Sequence, residues 1–182
     1  MNQSKIDEFP ASNNSQPLSY MCPNRLESGS IPQDTGAVYD FAPLGMGFIF
    51  QTFLLIDSLT AVQNIELVLK FAGADKKSIR KRANDLLKQF EIEELADKLS
   101  VSLSQGEKQR VAVARAIAND ADLILADEPT ASLETNQGMQ IIELLHNYAR
   151  QRSKCVIAAT HDLRLKDYAD RIIYLRDGEI IK

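Results

Sequence analysis

The stretch Leu103-Ser104-Gln105-Gly106-Glu107-Lys108-Gln109-Arg110 runs into the apolar-rich Val111-Ala112-Val113-Ala114-Arg115-Ala116-Ile117-Ala118. After a short break comes Leu123-Ile124-Leu125-Ala126-Asp127-Glu128-Pro129-Thr130. Ser104 followed three residues later by Glu107 is a capping box, which predicts a helix over Gln105 to Ala118. Gly106 leaves room for close approach to the first turn, where unpaired N–H groups and the helix dipole favour an anion. A phosphate fits on Ser104 and Gly106, although an ordinary capped helix explains the same letters. The second stretch predicts a buried strand over Asp122 to Ala126 with two carboxylates at its carboxyl end, the edge where open α/β sheets bind ligands. Asp127 suits magnesium, which prefers oxygen ligands. Glu128 suits a general base that orients or deprotonates water. Pro129, with no N–H for a ladder, ends the strand. A solvated acidic strand end is the plainer reading of an Asp-Glu pair taken alone.

Outward from this centre, Lys154 to Ala159 predicts a second strand ending in Thr160-His161-Asp162. If it lies beside the first, His161 arrives near Glu128 and can hydrogen-bond a γ-phosphate or an attacking water; a lone histidine is otherwise a structural donor. His146 has no partner in the pattern and receives no role. Gly47-Phe48-Ile49-Phe50 predicts a short buried strand, and Leu59 to Phe71 a helix. Ile79, Ala83, Leu86, Leu87 and Phe90 draw an apolar stripe down a helix of about 13 residues. Helices are predicted over Thr135 to Arg150 and from Leu163, a strand over Arg171 to Leu175, and a turn at Asp177-Gly178. Alternating helices and Val/Ile/Leu-rich runs imply an α/β layer with a largely parallel sheet flanked by helices.

Composition bounds the function classes. The 182 residues, 45% hydrophobic and 25% charged, suit one globular domain. A net charge of -4 argues against nucleic-acid binding through overall positive charge. Asp75 to Arg82 carries five basic residues in eight, read as a solvated helix face. Cys22 and Cys155 lie far apart without metal-ligand spacing, so neither a disulfide framework nor a zinc site is expected, and a reducing cytoplasm fits. The start lacks a signal-peptide core, and no run approaches the ~20 apolar residues needed to cross a bilayer. Residues 1–44, rich in Asn, Ser, Pro and Gln, read as irregular, with the ordered domain over 45–182.

Taken together, these segments resemble the ATP-binding cassette family from about Gly47 to Lys182. Leu103 to Glu107 resembles its signature motif, including Ser104, Gln105, Gly106 and Glu107, and Leu123 to Glu128 resembles its Walker B strand with the catalytic glutamate. Ala131-Ser132-Leu133-Glu134 resembles the D-loop, with Glu134 where the family usually has aspartate. His161 falls on the switch histidine, and Gln51 on the Q-loop glutamine that helps bind magnesium. Ser58-Leu59-Thr60-Ala61-Val62-Gln63-Asn64-Ile65 and Thr160-His161-Asp162 look most like the branch serving lipoprotein release and macrolide export. The resemblance implies a P-loop NTPase-like nucleotide-binding domain with a helical signature subdomain over about 59–118 and a Walker B to H-loop part over 119–182. It implies ATP and Mg2+ as cofactors, with Glu128 and His161 catalytic, Gln51, Ser104, Gln105, Gly106, Glu107 and Asp127 binding nucleotide, and Asp127 and Gln51 on the metal. The implied partners are transmembrane permease subunits and a second cassette, either a homodimer mate or an intact ATPase. The implied place is the cytoplasm, peripheral at the inner face of the membrane and reaching it only through the partner.

One motif departs from the family. A P-loop needs Gly-x-x-x-x-Gly-Lys-Ser/Thr to wrap phosphate in N–H groups and reach it with lysine, and this sequence has no Gly-Lys pair. The best remnant, Phe9 to Leu18, precedes Leu26 to Ile31, which resembles the segment after Walker A. It places Asn14, Ser15, Gln16 and Pro17 where the final Gly, Lys, Ser and Thr belong. The antiparallel strands that precede Walker A in the family are expected to be truncated. Two readings follow: the ATP-binding, ATP-hydrolysing subunit of an exporter, and a non-catalytic cassette that donates its signature motif to an intact partner. The chromosome-maintenance and DNA-repair cassettes, a third class, carry a long coiled coil that this sequence lacks.

Overall fold

The computed structural model describes residues 16–21, 45–131, 133–152, 154–176 and 179–181. Strands β1 (Gln16–Met21), β2 (Met46–Ile49), β3 (Leu123–Asp127), β4 (Cys155–Ala159), β5 (Arg171–Arg176) and β6 (Glu179–Ile181) form one sheet in the order β2-β3-β4-β1-β5-β6. Of the helices α1 (Ala61–Phe71), α2 (Lys76–Gln89), α3 (Gln105–Ile117) and α4 (Thr135–Arg152), α3 and α4 lie against the sheet, while α1 and α2 pack on each other and on α3. The α/β layering is the one expected. The sheet is parallel where β2, β3 and β4 pair, and antiparallel where β1, β5 and β6 join.

The parallel part positions the site. Met46 pairs with Leu123 and Ile49 with Ala126, while Leu123 pairs with Cys155 and Asp127 with Ala159. The carboxyl ends of all three strands therefore reach one edge. Along β3, buried Ile124 and Ala126 alternate with half-buried Leu123 and Leu125 before exposed Asp127, the period-2 pattern of a strand with one face fully covered. α3 supplies part of that cover. A Cβ on Gly47 would meet the Ala116 carbonyl oxygen at 2.1 Å, so only glycine lets the helix backbone lie against β2.

Two of the helices begin at capping boxes. Thr60 caps α1 through a capping box with Gln63, its Oγ1 accepting from the Gln63 N–H. Ser104 caps α3 in the same way with Glu107. The stripe on α2 buries Ile79, Ala83 and Leu87, with Phe90 buried at the cap, and α1 packs against it. Each such fully buried aliphatic side chain contributes about 1.5–3 kcal/mol relative to exposure. Arg80, in the basic run, pairs with Asp97 and Glu66 across the surface, consistent with a solvated face. Asn64, fully buried, joins the loop before α1 to the loop before α3. Its Oδ1 accepts from the Ile56 N–H, and its Nδ2 donates to the Ile56 and Thr60 carbonyls and to Ser100 Oγ.

Three expectations are corrected. Gln16–Met21, expected to be irregular, is a strand between β4 and β5; its polar and proline-containing letters hid a pairing that long-range neighbours impose. β6 was not expected, being a three-residue edge strand with little periodicity to read. Cys155, buried at the head of β4, is disulfide-bonded rather than free, a pairing that separation along the chain does not reveal. The expected turn at Asp177-Gly178, Ser132 of the D-loop segment, the remnant positions before Gln16 and the Leu26 to Ile31 segment lie outside the described residues.

Candidate functional site

At the shared edge, Glu128 follows β3 in a left-handed conformation, φ 47°, and is 5% exposed. Its N–H donates to the Ala159 carbonyl of β4 at 2.9 Å, so the backbone turns across the neighbouring strand and carries the side chain under the 160–162 loop. That loop surrounds the carboxylate. Thr160 Oγ1 donates to Oε2 at 3.0 Å, and the His161 N–H donates to Oε1 at 3.2 Å. His161 Nδ1 lies 2.7 Å from the same Oε1. A carboxylate only accepts, so Nδ1 carries the proton in this contact. A conformation outside the usual regions costs about 1–3 kcal/mol and persists only where the surroundings fix it; here three hydrogen bonds and a strand do so. The expected approach of His161 to Glu128 is present, and the imidazole is 72% exposed.

Asp127, at the tip of β3, is exposed, as is Gln51 beyond β2. Among the described residues no group of three or more His, Cys, Asp or Glu side chains is arranged to hold a metal ion. Asp127 and Gln51 are oxygen donors of the kind magnesium takes, but too few to hold it without oxygens from a bound phosphate.

The signature segment is bonded within itself rather than to the carboxylates. No described hydrogen bond joins Ser104, Gln105 or Gly106 to Asp127, Glu128 or His161. The capping box uses the Glu107 carboxylate, which accepts from the Ser104 N–H at 2.7 Å, and this bond holds it below the ordinary carboxylate range. The room beside Gly106 faces α4, since a Cβ there would meet Gln137 Oε1 at 2.9 Å and Leu133 Cδ2 at 3.4 Å. Gln105 and Lys108 instead line an open hollow with Gln51, Thr52, Leu54 and Asp57. Deeper on α3, buried Gln109 donates to the Pro129 carbonyl at 2.7 Å and so ties the helix to the turn after Glu128.

Arg115 was not expected to matter. It is fully buried, with Nη1 2.6 Å from the Leu54 carbonyl and Nη2 2.8 Å from that of Phe53. Both residues are left-handed, φ 63° at Phe53 and 46° at Leu54, so the guanidinium fastens the strained segment that follows Gln51. The signal was present in the sequence: one cation inside the apolar run Val111 to Ala118. Asp162 was also passed over. Its carboxylate accepts from Thr130 Oγ1 at 2.7 Å and from the Arg164 side chain. The Arg164 guanidinium, helped by Thr130 and opposed by burial, holds its carboxyl at about 2. His146 receives a structural place, Nδ1 3.1 Å from the Tyr168 carbonyl.

The remnant positions Gln16 and Pro17 open β1 rather than a phosphate-binding turn. β1 runs antiparallel to β4, Leu18 opposite Ala159 and Met21 opposite Val156. It brings its first residues to the edge holding Glu128 and sends its carboxyl end away from it.

The sequence profile of the ABC transporter family matches residues 20–131. This chain belongs to that family. Among its relatives, the macrolide export ATP-binding/permease protein MacB 2 of Yersinia pestis is 41% identical over 156 residues, 85% of this chain and 23% of that protein. The ABC transporter ATP-binding protein MJ0796 of Methanocaldococcus jannaschii is 45% identical over 139 residues, 74% of this chain and 59% of that protein. The dimeric post-hydrolysis structure of MJ0796 bound to ADP and Pi superposes with a TM-score of 0.71 at 43% identity, over 75% of this chain and 60% of that one. CbiO1 of Clostridium perfringens, part of the ABC transporter complex cbiONQ, superposes with a TM-score of 0.66 at 30% identity, over 76% and 56%. This ABC chain thus spans about a quarter of the MacB length and about three fifths of MJ0796. Among its described residues no helix is long and apolar enough to cross a membrane.

Proposed function

We propose that this ABC chain is the ATP-binding part of a MacB-like exporter, working as a dimer at the inner face of the membrane through permease partners. The observation that carries the reading is the buried Glu128 carboxylate set at the sheet edge with His161 on its Oε1. In this reading ATP supplies the transferable phosphoryl group and Mg2+ offsets its charge, with Asp127 and Gln51 as the chain's oxygen donors to the metal. Glu128 takes the proton of an attacking water. Both of its oxygens already accept hydrogen bonds, so the water gains Oε1 when the exposed imidazole swings out, and His161 then faces the nucleotide. Ser104, Gln105, Gly106 and Glu107 cap the nucleotide of the opposite subunit, which accords with their having no described hydrogen bond to this chain's own Asp127, Glu128 or His161. Residues 59–118 form the helical subdomain and 119–182 the Walker B to H-loop part. The transported compound is set by the permease.

A second reading has one observation in its favour. The strand beside β4 runs antiparallel, so β1 sends its carboxyl end, where a phosphate-binding turn would follow, away from Glu128. A chain built this way donates its signature to an intact cassette and binds ATP poorly by itself. Equilibrium binding of Mg-ATP to the Glu128→Gln chain separates the two, since turnover then cannot drain the complex. Micromolar binding supports the first reading; no binding at millimolar ATP leaves the donor. In the donor case, replacing Ser104 or Gly106 lowers the activity of a mixed complex with an intact cassette, and an unchanged mixed complex removes that reading as well.

A further inference from the structure

The exposed imidazole of His161 has little packing to hold it on Glu128, so its seat depends on the shape of the 160–162 loop. That shape is fixed from the far side. The Asp162 N–H donates to Thr160 Oγ1 at 3.1 Å, and Thr160 in turn donates to Glu128. The Asp162 carboxylate accepts from Thr130 Oγ1, from the Arg164 N–H at 3.0 Å, from Arg164 Nε at 2.9 Å and from Nη2 at 2.6 Å. The remaining arm of the guanidinium, Nη1, donates to the Thr135 carbonyl at 2.8 Å, at the start of α4. Gly138 provides the seat. A Cβ at that position would stand 2.7 Å from Nη2, 3.0 Å from Nη1 and 3.2 Å from Cζ of Arg164. Glycine within a helix costs about 1 kcal/mol relative to alanine, so α4 gives up helical stability at the place where the guanidinium lies against it. A fork with donors on two sides is what arginine, and not lysine, supplies.

We propose that Arg164 is a positioning residue: by clamping Asp162 to the start of α4 across Gly138, it holds the 160–162 loop in the shape that seats the His161 ring on Glu128. Its functional meaning rests on His161 and Glu128 being the working pair, but the clamp is testable without nucleotide. With only two histidines in the chain, long-range 15N–1H spectra of the neutral imidazoles report each tautomer, and a His161→Gln spectrum assigns the signals. The wild-type chain is expected to show His161 with the proton on Nδ1, held there by Glu128. Arg164→Ala, and Gly138→Ala by displacing the guanidinium, are expected to move the proton to Nε2 in a large part of the population while the His146 signals stay in place. Arg164→Lys, which keeps the charge without the fork, is expected to fall between. If His161 keeps its Nδ1 proton in a folded Arg164→Ala chain, the proposal is overturned. Should that variant not fold, an unmoved His161 signal in Gly138→Ala overturns it equally. Failure of ATP binding leaves this result untouched, so the clamp and the nucleotide reading fail separately.

Discussion

Replacing Arg115 with methionine tests how much of this fold hangs on one buried cation. Methionine fills much of the space of the arginine stem, so the loss falls on the polar contacts of the guanidinium, among them the bonds to the Phe53 and Leu54 carbonyls. A hydrogen bond to a charged group contributes about 1.5–3 kcal/mol, and a carbonyl left unpaired costs about 1–3 kcal/mol. Avoiding burial of the guanidinium offsets part of this. Leu54 is 48% exposed, so its carbonyl can turn to water, whereas Phe53 is 8% exposed and cannot do so cheaply. The net expectation is a destabilisation of about 2–4 kcal/mol. With a urea slope of about 2 kcal/mol/M, the unfolding midpoint falls by about 1–2 M. Hydrogen exchange in the segment after Gln51 should rise as well, because two left-handed residues lose the group that opposes their relaxation. Arg80→Met is the control. Arg80 is 49% exposed and paired with two carboxylates, a setting in which an ion pair is worth under about 1 kcal/mol. If Arg115→Met shifts the midpoint no more than Arg80→Met, the clamp on Phe53 and Leu54 is not what holds this segment.

Asn64→Ala removes a buried amide whose Oδ1 accepts one bond and whose two Nδ2 hydrogens are shared among three acceptors and is expected to cost about 2–4 kcal/mol in urea unfolding, whereas a cost under about 0.5 kcal/mol would show that the loops before α1 and α3 hold without it. Gly47→Ala forces a methyl against the Ala116 carbonyl and is expected to lower stability by about 3 kcal/mol or more, read by thermal melting, since helix and strand must part. Asp162 is depressed from 3.8 to about 2 by Arg164. Its contribution is therefore complete above the ordinary value and lost as pH falls toward 2; acid unfolding followed by circular dichroism should lose that component in Arg164→Ala, and identical acid limbs would refute it. Ser104→Ala removes a cap and should cost about 1 kcal/mol, while Ser104→Asp, which can still accept from the Glu107 N–H, should recover most of it.

Much of the site was legible because it is written in local rules. Ser104 and Glu107 mark a helix start through a contact spanning three residues, and Ile124, Ala126 and Asp127 mark a strand and its carboxyl end through a period of two. The ordered motifs from Gln51 to His161 then identified the family without any knowledge of distance. What the sequence could not determine are the partners brought together by the order of strands. Glu128 and His161 meet across 33 residues, Thr130 and Asp162 across 32, and Arg115 and Phe53 across 62. The direction of β1 belongs to the same class, since Gln16 to Met21 pairs with two strands at the other end of the chain and nothing among its own neighbours states which way it runs. Short-range capping and periodicity are properties of a segment. The charge of Arg115, the seat at Gly138 and the proton on His161 acquire meaning only when packing puts a carbonyl, a guanidinium or a carboxylate within reach.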